Sequence, residues 1–304
     1  MSIAACSDSP TAPKPRGLVL QPSLEVVAGA LTNLSYATRS PTQKLDIHLP
    51  TSGVKPYPVV VWLHAGGWWT GDKTLGLSHP ARQLLSQGIA VVSVNYRLSG
   101  EARFPAQIHD VKAAVRWVRA RASTYGFNPN RIGAWGLSAG GHLAALLGTS
   151  TGIAALTDLT MGNATMSEQV KTVVVWAGPM NFLNLDAQLA LNGCPLYNGT
   201  GHNAPSSPES LLMGAQITTI PTAVSAASPR AYVTLGDPKF LVQHGKLDCT
   251  IPYQQADGLV NRIRNVIGTA QVQYDLFPTG KHGGLEFTNT TNVTRVVNYI
   301  KATI

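Results

Sequence analysis

Gly136-Leu137-Ser138-Ala139-Gly140 has the pattern of a serine raised on a sharp strand-to-helix turn. A hydroxyl held there beside a base can attack a carbonyl carbon, so the chemistry it suggests is acyl transfer through a covalent intermediate. Alone, the five-residue match is weak, because glycine fills 29 of the 304 positions. Its surroundings strengthen it. An apolar run, 132–135, precedes the serine, and an Ala/Leu-rich helical stretch, 142–147, follows it. A helix in that position points the positive end of its dipole at the site.

Acyl transfer places negative charge on the carbonyl oxygen, and backbone N–H groups must face that oxygen without side chains in the way. His64-Ala65-Gly66-Gly67-Trp68 follows directly on the apolar run 59–63. Gly66 and Gly67, with the N–H of Ala139, are therefore the candidate oxyanion hole. His64 reads as a structural support of that loop.

The serine also needs a base and a carboxylate that orients it, in the chain order Ser, Asp, His. Among the downstream acids only Asp248 comes just after an apolar run, 240–243; Asp237 precedes that run and Asp275 lies inside the next one. Of His202, His244 and His282, only His282 follows Asp248. It sits in the glycine-rich stretch 278–284, after the run 272–277. The candidate catalytic set is thus Ser138, Asp248 and His282. Such chemistry calls for no metal and no organic cofactor.

These residues need a scaffold. The stretch 43–49 alternates with period two, as an antiparallel edge strand would. Continuous apolar runs at 59–63, 89–94, 132–136, 170–176, 240–243 and 272–277 predict strands buried on both faces. Helical periodicity appears at 108–122, 142–147, 256–267 and 292–302. Strand-helix alternation of this kind predicts an α/β fold with a mostly parallel, eight-stranded sheet flanked by helices. The stretch 181–235 breaks the rhythm, is rich in Gly, Pro, Ser and Asn, and predicts a small cap-like excursion. The expected organisation is one domain over 23–304 behind a flexible tail, 1–22.

Composition narrows the remaining options. Hydrophobic residues make up 44% of the chain and charged residues only 12%, so the chain is too apolar for disorder. The formal charge of +8 is carried by scattered residues, which argues against a nucleic-acid partner. No apolar run approaches the ~18 residues of a membrane span. Ile3-Ala4-Ala5-Cys6 reads like the end of a lipoprotein signal, so export is expected, with membrane attachment only through a lipid on Cys6.

Taken together, five segments carry a resemblance. They are His64-Ala-Gly-Gly-Trp-Trp-Thr-Gly-Asp-Lys, Asn95-Tyr-Arg, Phe104-Pro-Ala-Gln, Gly136-Leu-Ser-Ala-Gly-Gly-His and His244-Gly-Lys-Leu-Asp-Cys-Thr-Ile-Pro. From about residue 40 to 300 the chain resembles bacterial feruloyl-esterase-like carboxylesterases, on the hormone-sensitive-lipase side of the α/β-hydrolases. The resemblance implies the α/β-hydrolase fold, a Ser138–Asp248–His282 triad, and an oxyanion hole from Gly66, Gly67 and Ala139. It implies hydrolysis of small acyl or aromatic esters, among them acetylated or feruloylated sugars and, for some relatives, synthetic polyesters. The expected partner is thus a small-molecule or polymeric ester, taken by a monomer or a dimer. Ala65 departs from the family, which commonly has glycine there. Trp68 and Trp69 are expected to wall the substrate pocket. Cys194 and Cys249 are expected to pair as a disulfide, tying the excursion to the acid loop. Two other readings share the motifs: an amidase resembling kynurenine formamidase, and a non-catalytic binding protein on the same fold.

Overall fold

The structure, a computed structural model, describes residues 26–27 and 30–304. Cys6 and the tail 1–22 lie outside the described residues. Nine strands form one sheet: β1 (Val26–Val27), β2 (Ala30–Ser35), β3 (Lys44–His48), β4 (Tyr57–Leu63), β5 (Ala90–Val94), β6 (Phe127–Leu137), β7 (Thr172–Trp176), β8 (Lys239–Gly245) and β9 (Val272–Phe277). Their order is β1-β2-β3-β5-β4-β6-β7-β8-β9. The three pairings from β1 to β5 are antiparallel, and every pairing from β5 to β9 is parallel. The eight strands of the expected α/β-hydrolase sheet are all present, and the two-residue β1 adds a short edge.

The helices are α1 (Ala106–Ala120), α2 (Ala122–Tyr125), α3 (Ala139–Thr149), α4 (Leu185–Leu191), α5 (Pro208–Met213), α6 (Pro221–Ser225), α7 (Gln254–Val266), α8 (Leu285–Thr288) and α9 (Thr290–Thr303). Successive side chains on a strand point to opposite faces, so the runs 59–63 and 172–176 must be apolar throughout to be covered on both sides. On one face Val59, Val61, Leu63, Val173 and Val175 pack under α1, α3 and α7. On the other, Val60, Trp62, Trp135, Val174 and Trp176 pack against α9 and the 3₁₀ helix Pro80–Gln87. There Trp135 and Trp176 meet edge to face at 4.7 Å, an arrangement worth about 1 kcal/mol beyond simple burial.

One expectation needs correction. The strand at 43–49 is antiparallel but it is not an edge, because β2 covers its outer side. β2 escapes a period-two reading for a physical reason. Its register shifts between Leu31 and Leu34, Asn33 turns to φ 59°, and the Asn33 N–H donates to the Asp46 carboxylate at 2.7 Å. A bulge of this kind breaks the alternation that marks a strand.

Parallel order brings the C-terminal ends of β4, β6, β8 and β9 to one edge of the sheet. Residues 181–235 lie between β7 and β8 and contain α4, α5, α6 and four short 3₁₀ turns, with no strand. A disulfide joins Cys194 to Cys249, with Cα atoms 5.4 Å apart. The Gln255 side chain of α7 adds a polar clasp. Its Oε1 accepts from the N–H groups of Met180 and Asn181, each at 2.7 Å, and its Nε2 donates to Gln188 at 2.6 Å.

Candidate active site

Ser138 joins β6 to α3 at φ 56°, ψ −119°, a backbone conformation that L residues avoid. The surrounding structure imposes it. The Ser138 N–H donates to the Trp176 carbonyl at 2.8 Å, and its own carbonyl accepts the His142 N–H at 2.9 Å. The flanking glycines are required by close approach. A Cβ on Gly136 would lie 2.2 Å from the Gly140 carbonyl oxygen, and one on Gly140 would lie 2.0 Å from that of Leu63. Strain held by a rigid frame is what keeps a nucleophile raised.

Asp248 follows β8 and is fully buried. One carboxylate oxygen, Oδ1, accepts the N–H groups of Thr250 and Ile251 at 2.8 and 2.9 Å. The other, Oδ2, accepts from His282 Nδ1 at 2.7 Å. His244 Nε2 stands 3.4 Å from Oδ2 and donates to the Ile251 carbonyl at 2.8 Å, which keeps the turn closed. Burial alone would raise the Asp248 pKa. The hydrogen bonds from His244 and His282 outweigh it and hold the carboxyl well below the usual range, so it is a permanent anion.

His282 lies in the loop after β9, and its Nε2 is 3.0 Å from Ser138 Oγ. With Asp248 accepting at Nδ1, the neutral ring keeps its proton there and turns the Nε2 lone pair to the serine. Two backbone contacts fasten the His282 loop to the Asp248 loop. Lys246 N–H donates to Phe277 O, and Leu247 N–H to Gly280 O, each at 2.9 Å. Only glycines fit that seam, since a Cβ on Gly245 would come within 2.4 Å of Gly280 O.

Gly66 and Gly67 adopt φ 119° and 58° in the loop after β4. Their N–H groups and that of Ala139 meet no protein acceptor among the described residues. Ala65 has no positive φ, so its methyl adds no backbone strain. Its carbonyl is 2.7 Å from His64 Nδ1, and the His64 ring stacks on Tyr96 with centroids 4.3 Å apart. Burial lowers the His64 pKa, which keeps this ring neutral beneath the loop.

Ser138, Ala139, His282, Gly66 and Gly67 line one cleft of about 290 Å³. The two tryptophans part company. Trp69 is 58% exposed at its mouth, whereas Trp68 is 1% exposed and packs edge-on against His142 at 5.2 Å and on Phe182. Trp68 reaches the cleft wall, but most of its ring anchors the loop. Sequence reasoning missed a further stretch of wall, where Tyr197, His202, Pro208, Glu209 and Thr250 line the cleft. His202 and Glu209 are seven positions apart in an irregular stretch, and no period links them.

A family model described as BD-FAE matches residues 45–263. The chain is 31% identical over 275 residues to esterase LipC of Mycobacterium tuberculosis, covering 84% of this chain and 62% of that protein. Among solved structures, a truncated form of a carbohydrate esterase from gut microbiota superposes with a TM-score of 0.79 at 29% identity, covering 91% of this chain and 96% of the other. A bifunctional GH43-CE protein of Bacteroides eggerthii gives a TM-score of 0.80 at 29% identity, with this chain covering 36% of it. The chain spans 50–62% of the length of the first three curated relatives it matches.

Proposed function

The chain belongs to the BD-FAE family, and on that ground we propose that it is a serine carboxylic ester hydrolase. One observation carries the reading: Ser138 Oγ, His282 and Asp248 form a continuous hydrogen-bonded line with gaps of 3.0 and 2.7 Å. His282 takes the Ser138 proton as Oγ attacks the ester carbonyl, and the oxygen gains charge. The N–H groups of Gly66, Gly67 and Ala139 receive that charge, each such donor being worth about 10²–10³ in kcat. Asp248 stabilises the imidazolium. His282 then protonates the departing alcohol, and a water molecule activated by the same ring releases the acid from Ser138.

Short acyl or aromatic esters fit a cleft with Trp69 at its mouth, and sugar esters are consistent with the carbohydrate esterase relative. The disulfide supports export, because such bonds persist in oxidising compartments. Residues 181–235 serve as a cap over the cleft, through Tyr197, His202 and Glu209. Turnover of p-nitrophenyl acetate and labelling of Ser138 by a fluorophosphonate test the reading. Ser138→Ala is expected to lose roughly 10⁴-fold or more in kcat with an unchanged Tm. Retained turnover in that variant would sink the assignment, and turnover of N-formylkynurenine in preference to esters would make the protein an amidase.

A further inference from the structure

The cleft wall contributed by residues 197–209 holds a charged pair that the hydrolytic mechanism does not use. His202 and Glu209 are each 1% exposed, yet both line the cleft beside Ser138. His202 Nδ1 is 2.9 Å from Glu209 Oε2, and His202 Nε2 is 2.9 Å from the Thr250 carbonyl. The Thr250 carbonyl only accepts, and so does Glu209 as a carboxylate; facing that anion the ring carries a proton on each nitrogen and is an imidazolium. Burial opposes that charge, but the hydrogen bond and charge of Glu209 prevail and raise the His202 pKa. Tyr197 stacks on the ring at 4.6 Å and 17°, giving the cation an aromatic face. Asp186 accepts the backbone N–H groups of His202 and Asn203 at 2.7 and 2.8 Å, which fixes where the ring can sit.

A buried ion pair is a poor way to gain stability, because desolvation cancels most of the attraction. This one also leaves a free acceptor. Glu209 Oε2 is taken by His202, while Oε1 meets no protein donor among the described residues and is not sealed in the interior. It opens on the cleft that Glu209 lines. His202 neutralises the carboxylate, so a neutral donor suits it better than a cation, and an anionic ligand is repelled. We propose that Glu209, held by His202, is a specificity residue that accepts a hydrogen bond from a free hydroxyl group on the ester substrate. This rests on the hydrolase reading above. The substrates it favours are esters that keep an unesterified hydroxyl near the scissile carbonyl, such as partly acylated polyols.

Two matched pairs test the proposal. On the alcohol side, 2-hydroxyethyl acetate is compared with propyl acetate; on the acyl side, methyl glycolate is compared with methyl propionate. Each pair exchanges only a hydroxyl for a methyl. The native enzyme is expected to prefer the hydroxylated member of at least one pair by about 10-fold in kcat/KM, the scale of a hydrogen bond to a charged group. The pair that shows it tells which half of the ester carries the hydroxyl. Glu209→Gln keeps the shape but turns an NH₂ toward the cleft, so the preference should fall to within about 3-fold. Glu209→Asp, whose carboxylate is withdrawn by one carbon, should weaken the preference too and serves if the glutamine variant fails to fold. Equal treatment of both members by the native enzyme overturns the proposal, and so does a preference that survives in the variants. Loss of p-nitrophenyl acetate turnover together with loss of Ser138 labelling in the native enzyme would instead strike the hydrolase reading itself.

Discussion

The two walls of the cleft are built in different ways. On the Ser138 side, the proposed nucleophile, acid and base stand on loops leaving β6, β8 and β9, and the proposed oxyanion glycines follow β4. Their positions are set by backbone contacts, such as the Gly245–Gly280 seam and the close approach of Gly140 to Leu63 O. On the 181–235 side no strand lends support, and the wall is tied mainly by side chains: the disulfide, the Gln255 clasp and the bond from His202 to the Thr250 carbonyl, beside a backbone bond from Phe104 N–H to Leu212 O. Chemistry that must hold fixed geometry rests on the sheet. On the proposal above, selection among substrates falls to the segment 181–235, which adds no strand to the sheet.

The largest test of that division is Asp248→Asn. Its amide can no longer hold the His282 tautomer, so kcat should fall about 10⁴-fold while the Thr250 and Ile251 N–H groups keep the turn closed. A loss under about 10-fold would move the orienting role elsewhere. Next comes Gly140→Ala. Backbone meets backbone there, so the elbow must shift, with a stability loss above about 4 kcal/mol read from urea unfolding. A folded, fully active variant would show that the seam tolerates a side chain.

Cys194→Ser should cost roughly 4 kcal/mol, the scale expected for a bridge that closes a 55-residue separation. If the walls are separate in origin, KM should rise while kcat for p-nitrophenyl acetate changes by less than about 5-fold. A collapse of kcat alone would show that the disulfide sets Asp248 as well. The smallest effect concerns the helix beneath Ser138. Burial lowers the fully buried His142 from an ordinary 6.5 to about 4, so its folded pKa lies below its unfolded one. The unfolded chain therefore binds the extra proton between those values. Stability is complete above pH 6.5 and declines as pH falls toward 4, by roughly 3 kcal/mol from this residue. Tm measured from pH 7 to 4 should fall, and His142→Gln should flatten the fall.

The sheet side was largely legible in the sequence, because a strand buried on both faces must be apolar throughout. The runs at 132–136, 240–243 and 272–277 mark strand ends, and those ends fixed where Ser138, Asp248 and His282 could stand. The apolar run in β6 begins only at Ile132, so Phe127 to Arg131, with Pro129 and two asparagines, gave no strand signal. β2 was hidden by its bulge. The 181–235 wall was illegible for a deeper reason: His202 meets Glu209 through an irregular chain path, and hydrophobic periodicity carries no information about such a path. The two tryptophans, adjacent in sequence, could not be told apart until the positive φ of Trp68 turned its ring inward.

The arrangement of four strand ends at one edge also governs how the molecule comes into being. Ser138 meets a partner 144 positions later in the chain, and β9 is the outermost strand of its side of the sheet. Pairings so distant in sequence form slowly, because loop-closure entropy is spent before contacts reward it. The base is therefore missing from every intermediate that lacks β9. During refolding, hydrolysis should return only after β9 has joined β8, so every earlier stage carries Ser138 without His282 beside it.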